Sequence, residues 1–394
     1  MSSALDFLFR LLATPTPSGF EQEGQRLWLD HVRPVADRVW NDAYGNCFAE
    51  LNPTGVPSFG AASGASASNG PSRPATVAIC GHMDEIGLMV CHIDEKGFVY
   101  CKAIGGIDTS SIVGKRVRFR SSAPPSASAP GATARRSADG EGGDGSVWGV
   151  IGATAIHLQD KSTEAKVRKL HELFVDIGAN DRAGAEAMLR IGDPGVFADG
   201  PMRLGEHLLV ARGLDNRVGT WVAAQTLRQL AERRDELRCR VVAVSTVQEE
   251  VGLVGASMIA EQLKPDIALV TDVGHATDSP GISHAQHGQI RLGGGPRLAV
   301  GSAMQRHIVA RLEAIAATAG IPLQRAAIPG KSGTDTDAIV IRNGGIPSGL
   351  VSLPIRYMHT TVEMTSLIDL QRIADLFSAF CRSLSEGERF TLDL

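Results

Sequence analysis

TVAICGHMDE, residues 76–85, is the stretch on which the fold turns. Its first five residues form a short apolar run of the kind buried on both faces of a sheet. The run passes directly into Gly81, His82, Met83 and Asp84. Three further runs end in the same way. VVAVSTV (241–247) leads to Gln248, Glu249 and Glu250, DIALV (266–270) leads to Thr271 and Asp272, and SGLVSLPIRY (348–357) leads to Met358 and His359. RGLDNRVGTWVAAQTLRQLAE (212–232) reads as a loop entering a long helix, with Asp215 at the junction, and a second helix is expected near 254–263. Strands alternating with helices at this spacing indicate βαβ units. The expected fold class is α/β, with a mixed, mostly parallel sheet flanked by helices.

Outside these runs the pattern changes twice. The N-terminal run, SSALDFLFRLLA, carries Asp6 and Arg10 inside it and reads as an amphipathic helix rather than a signal peptide. A helix at about 20–32 follows, then a hairpin, RVWNDAYGNCFAEL, with Tyr44, Gly45 and Asn46 in its turn. Residues 96–205 contain short segments of period two, such as KRVRFRS, in which Val117 and Phe119 alternate with arginines. They are expected to form a small β-rich domain inserted into the α/β domain, which then comprises residues 1–95 and 206–394. Stretches rich in Gly, Ala, Ser and Pro at 54–75 and 121–146 lack hydrophobic periodicity and are expected to be solvated loops.

Composition excludes several classes. The chain has 394 residues and a net charge of −4, from 39 basic and 43 acidic side chains, so it lacks the basic excess of nucleic-acid or anionic-membrane proteins. No apolar run approaches the ~18–20 residues that cross a bilayer. Cys47, Cys80, Cys91, Cys101, Cys239 and Cys381 are scattered without a CxxC pair, which fits a reducing, cytoplasmic setting.

Each strand-end residue has an ordinary reading of its own. His82 and His359 serve as hydrogen-bonded histidines, Asp215 as a helix cap, Glu249 and Glu250 as a solvated acidic pair, Asp272 as a turn cap. Their joint occurrence at the ends of core elements changes the odds, because ligands in open α/β sheets gather at the carboxyl ends of strands. Acids beside buried strands also cost free energy unless paired or metal-bound. Two divalent cations about 3.5–4 Å apart require a bridging ligand and terminal ligands for each. Asp215 suits the bridge, His82 and Asp272 one cation, Glu250 and His359 the other. Asp84, two residues beyond His82, faces the same way on extended chain and orients the imidazole. Adjacent glutamates diverge, which leaves Glu249 free as a general base toward a ligated water and a leaving amine. Carboxylate and imidazole donors suit zinc, cobalt or manganese alike. No GxSxG elbow is present.

GHMDEIG, LDNRVG, QEEVGLVGA, TDVG and the SGTDTDA…RYMH segment resemble, in order, the signature blocks of the dinuclear glutamyl-aminopeptidase family of deblocking and tetrahedral aminopeptidases. IGGID (104–108), GVIG (149–152) and LFVDIGA (173–179) add to the resemblance. It implies a zinc-peptidase-like fold and a metal-dependent aminopeptidase that hydrolyses N-terminal residues from short peptides. It assigns His82, Asp215, Glu250, Asp272 and His359 as ligands of two divalent ions, zinc or cobalt first and manganese next, with Glu249 as base and Asp84 as the orienting carboxylate. It also implies a cis Asp215-Asn216 peptide, a dimerisation role for the β-rich domain, and homodimers that in relatives build dodecamers. The expected partners are peptide substrates, with neither nucleic acid nor membrane. Ser332, Gly333, Thr334 and Asp335 are expected to border the substrate. Ser332 stands where the family has glycine, and the insertion at 121–146 lies within the presumed assembly domain. An N-acyl amino acid deacylase, another hydrolase on the same site, a glycosidase and a catalytically silent scaffold are the alternatives.

Overall fold

The computed structural model describes residues 2–56, 73–123, 145–158, 167–392 and 394. The two Gly/Ala/Ser/Pro-rich stretches fall largely outside those residues. Two helices open the chain, α1 (Ser2–Ala13) and α2 (Gln22–Val32). The hairpin β1 (Arg38–Asn41) and β2 (Cys47–Leu51) follows, its turn fastened by Asp42 Oδ1, which accepts from the backbone N–H groups of Tyr44, Gly45 and Asn46. Strand β3 (Thr76–His82) is buried along its whole length.

Six strands then close a small barrel: β4 (Gly87–Ile93), β5 (Val99–Ile104), β6 (Arg116–Arg120), β7 (Ser146–Gly152), β8 (Phe174–Asp176) and β9 (Pro194–Phe197), with helix α3 (Arg182–Glu186) leading into the last. The barrel therefore spans 87–197, against the 96–205 expected. GLMVC opens the strand as an apolar run and so in sequence resembles a buried sheet strand, yet the strand pairs with both β5 and β9. At the far edge, β10 (Met202–Leu204) pairs with β11 (Leu208–Ala211) and belongs to the large sheet.

The chain continues through α4 (Leu214–Ala231), β12 (Arg240–Thr246), α5 (Val254–Leu263), β13 (Ile267–His275), α6 (His284–His287), β14 (Arg297–Gly301), α7 (Arg306–Ala319), β15 (Gln324–Ile328), α8 (Asp335–Ile339), β16 (Ser348–Arg356), β17 (Glu363–Ser366) and α9 (Leu367–Arg382). Along the large sheet the order is β1-β2-β12-β3-β13-β16-β17-β11-β10, with β14 joining β15 to β16. The four central strands, β12, β3, β13 and β16, run parallel to one another, and the flanks are antiparallel. These four are the runs whose ends carry the candidate residues, so the parallel register collects those ends on one rim.

Helix α4 packs on β3, β12 and β13. A methyl group at Gly81 would lie 2.3 Å from the backbone carbon of Gly219, so strand and helix touch backbone to backbone. Buried Trp28 fixes α2 to the same helix by donating from Nε1 to the Thr220 carbonyl at 2.8 Å. All six cysteines are free thiols, five of them buried. Among the described residues, no helix is long and apolar enough to cross a membrane.

Candidate metal centre

His82 ends β3. Its Nδ1 lies 3.1 Å from the Asp84 carbonyl oxygen and 3.4 Å from Asp84 Oδ1, which turns Nε2 into the site. Nε2 is 3.1 Å from Asp215 Oδ1 and 3.7 Å from both Asp272 Oδ1 and Glu249 Oε2. On the other side, His359 Nε2 is 3.3 Å from Asp215 Oδ2 and 3.4 Å from Glu250 Oε2. Two donor groups result, His82–Asp215–Asp272 and Asp215–Glu250–His359, each with one ligand atom per residue lying within 4.8 Å of the others. Asp215 belongs to both, presenting a different oxygen to each histidine. It sits at the mouth of α4, and its peptide bond to Asn216 is cis. A Cβ at Gly106 would lie 3.3 Å from His359 Nδ1, so the IGGID block carries the edge of the barrel past the site.

The cluster is crowded with negative charge. Burial, together with the charges of Asp272, Asp335 and Asp215, pushes Glu249 up to about 9. Burial and Asp215 push Glu250 up to about 10, and Asp272 also rises well above its usual range because of burial. Asp215 goes the other way: burial opposes its ionisation, but hydrogen bonds from His359 and His82 hold it well below the usual carboxylate range. His82 rises despite burial because carboxylates surround it. Hard donors packed this tightly suit a divalent cation, and the buried Glu250 Oε1 has no hydrogen-bond partner among the described residues. The residues therefore fit a metal site.

Asp84 does more than face His82. Its Oδ1 accepts from the Glu249 N–H at 3.0 Å, and its Oδ2 accepts from the Glu250 N–H at 3.1 Å and from the Ser18 hydroxyl at 2.6 Å. Glu363, on β17, was not singled out from sequence. It is buried, and its two oxygens accept from the backbone N–H groups of Asp215 (2.9 Å) and His359 (3.1 Å). Burial and the Asp215 charge push it up to about 8. The available signal was a lone acid in a strand of apolar and hydroxyl residues.

A cavity of about 450 Å³ opens over these groups. Ser332, Gly333 and Thr334 line it, beside Arg297, Lys331 and His275. Asp335 departs from expectation. It is buried beneath the site, where Oδ2 accepts from the Thr246 hydroxyl at 2.6 Å. Asp337 lines the cavity instead, and its carboxylate holds the loop by accepting from the Ser332 hydroxyl and from the Ser332 and Gly333 N–H groups.

The family model for M42 glutamyl aminopeptidases matches residues 64–134 and 137–376. A lysyl aminopeptidase of Pyrococcus furiosus is 29% identical over 384 residues, 96% of this chain and 97% of that one. Among solved structures, a TET aminopeptidase from the marine sediment archaeon Thaumarchaeota archaeon SCGC AB-539-E09 superposes with a TM-score of 0.82 at 27% identity, covering 97% of each chain. The TET1 peptidase of Pyrococcus horikoshii, described as assembling into a tetrahedron or a large octahedral shell, superposes at 0.75 with 27% identity, covering 97% of this chain and 100% of that one.

Proposed function

The chain belongs to the M42 glutamyl aminopeptidase family and is an aminopeptidase, and from that premise we propose that it works with two divalent cations, zinc or cobalt before manganese. His82, Asp215 and Asp272 would hold one cation, and Asp215, Glu250 and His359 the other, Asp215 being common to both sets. The observation that carries this reading is the membership of Asp215 in both donor groups. When bound, such cations supply Lewis acidity toward a water and a scissile carbonyl.

The protein's own residues do the rest. Asp84 fixes the imidazole of His82 from behind and ties down the Glu249–Glu250 turn through both backbone N–H groups. Glu249, left outside both donor groups, lines the cavity. It accepts a proton from the attacking water and returns it to the amine leaving group. Ser332, Gly333 and Thr334 border the N-terminal residue of the substrate, a short peptide. The curated relatives are named aminopeptidases, which lends a deacylase or a silent scaffold no support. Two structural neighbours carry endoglucanase in their names, but a glycosidase needs a carboxylate pair flanking a sugar rather than two donor groups sharing Asp215.

The barrel is proposed as the dimerisation unit. Val113, Val150 and Ile191 in the barrel segment are exposed apolar side chains, and a structural relative can assemble into a tetrahedron or a large octahedral shell. Six free thiols support a reducing, cytoplasmic setting.

The test of mechanism is Glu249→Gln assayed on aminoacyl anilides, with metal content measured alongside. Turnover falls by about 10²–10⁴-fold, the usual contribution of a general base, while bound metal is unchanged. Full activity in that variant removes Glu249 from the mechanism.

A further inference from the structure

The segment between α1 and α2 holds none of the residues singled out from sequence, yet its side chains reach the turn that carries the general base. Glu21 is 3% exposed. Its Oε1 accepts from the Gly19 N–H at 2.8 Å and from the Gln248 N–H at 3.2 Å. Gln248 immediately precedes Glu249 and adopts a φ of 56°, the left-handed region that a side chain disfavours. Such a residue persists where its surroundings over-determine it. Other contacts hold this turn as well. The Val247 N–H donates to Asn46 Oδ1 at 3.0 Å, the Gln248 carbonyl accepts from Val254, and Asp84 accepts from Glu249 and Glu250. The same connector supplies Ser18, whose hydroxyl donates to Asp84 Oδ2 at 2.6 Å. Both carboxylates that grip the turn, Glu21 and Asp84, are thus set by the connector.

We propose that Glu21 and Ser18 are positioning residues for hydrolysis: Glu21 holds Gln248 in its left-handed turn and Ser18 fixes Asp84, and together they aim the Glu249 carboxylate at the substrate cavity. This rests on Glu249 being the base. Glu21 contacts no candidate metal ligand, so its loss falls on kcat rather than on metal content, whereas Ser18 acts through Asp84, which also orients His82 and the Glu250 backbone. The chemistry asked of Glu21 is an acceptor oxygen rather than a charge, and an amide supplies that oxygen equally well. A misplacement of the order of 1 Å at a reacting group costs up to about 100-fold in rate.

The experiment compares Glu21→Ala, Glu21→Gln and Ser18→Ala with the parent enzyme and with Glu249→Gln, measuring kcat, KM, metal content and melting temperature. Glu21→Ala is expected to lose about 10- to 100-fold in kcat with KM and metal content unchanged. Glu21→Gln restores most of that loss. Ser18→Ala loses less, because Asp84 keeps both backbone donors. If Glu21→Ala does not fold, Ser18→Ala carries the test through kcat per metal-loaded chain, and an unchanged value overturns the proposal. The proposal is overturned if Glu21→Ala lowers the melting temperature but leaves kcat intact, if Glu21→Gln behaves like Glu21→Ala, or if the loss falls on metal content. An active Glu249→Gln overturns the assignment of the base instead, so the two failures are separable.

Discussion

The chain builds two closed hydrophobic cores, one under the large sheet and one inside the barrel, and they treat polar groups in opposite ways. Within the barrel segment, only Ser146 and Asp193 are buried polar residues among those described. The α/β unit buries His82, Asp84, Glu85, Asp215, Arg217, Glu249, Asp272, Asp335 and Glu363. Burying a charge is expensive unless it is paired or ligates a cation. Some of these charges are paired: Glu85 lies against Arg212 and Arg217, with Oε1 2.9 Å from Arg217 Nη1. Within ion-pair distance the carboxylates around Asp215 meet only two histidines among the described residues, while Arg297 and Arg217 act on Asp272 and Glu363 from farther away. A barrel of apolar side chains needs nothing beyond packing, whereas the rim of the sheet crowds carboxylates whose pKa values are pushed up, an arrangement that a bound cation would stabilise. The difference separates scaffold from chemistry.

The strongest challenge to that contrast is Glu363→Gln. Glutamine offers one acceptor oxygen where Asp215 and His359 each donate a backbone N–H to Glu363. Metal affinity is expected to fall by about 10–100-fold, as for other groups that orient ligands, measured by competition with a chelator. An unchanged affinity contradicts the role assigned to Glu363. The gentler challenge is Ile151→Ala in the barrel core, where the side chain is 2% exposed. Stability falls by about 2–5 kcal/mol on chemical denaturation, while kcat per folded chain and metal content stay at their original values. A drop in kcat without loss of folded protein shows that the barrel takes part in the chemistry and blurs the contrast.

What sequence conveys follows the same division. His82, Glu250, Asp272 and His359 could be singled out because a parallel sheet gathers strand ends and β-branched runs announce the strands, and Asp215 because it stands where a loop enters a helix; the structure brings the five together. Helix α5 was placed at 254–263, the bounds it has in the structure. Glu363, Glu21 and Ser18 were not legible. They act through backbone N–H groups or through Asp84, far along the chain, and nothing in the spacing of a lone Ser or Glu announces such a contact. Asp335 was misplaced for a related reason. A short helix, α8, begins there and turns its carboxylate down toward Thr246 and away from the cavity that Ser332 and Thr334 line. The start of the barrel was missed because an apolar run reads alike whether it enters a barrel or a parallel sheet.

The central claim is a shared ligand, and counting metal tests it directly. Protein stripped with chelator, reloaded with zinc or cobalt and desalted is measured by elemental analysis, with Asp215→Ala in parallel. Two cations per chain in the parent and neither retained by Asp215→Ala is the expected result. One cation per chain, or two that persist without Asp215, contradicts it.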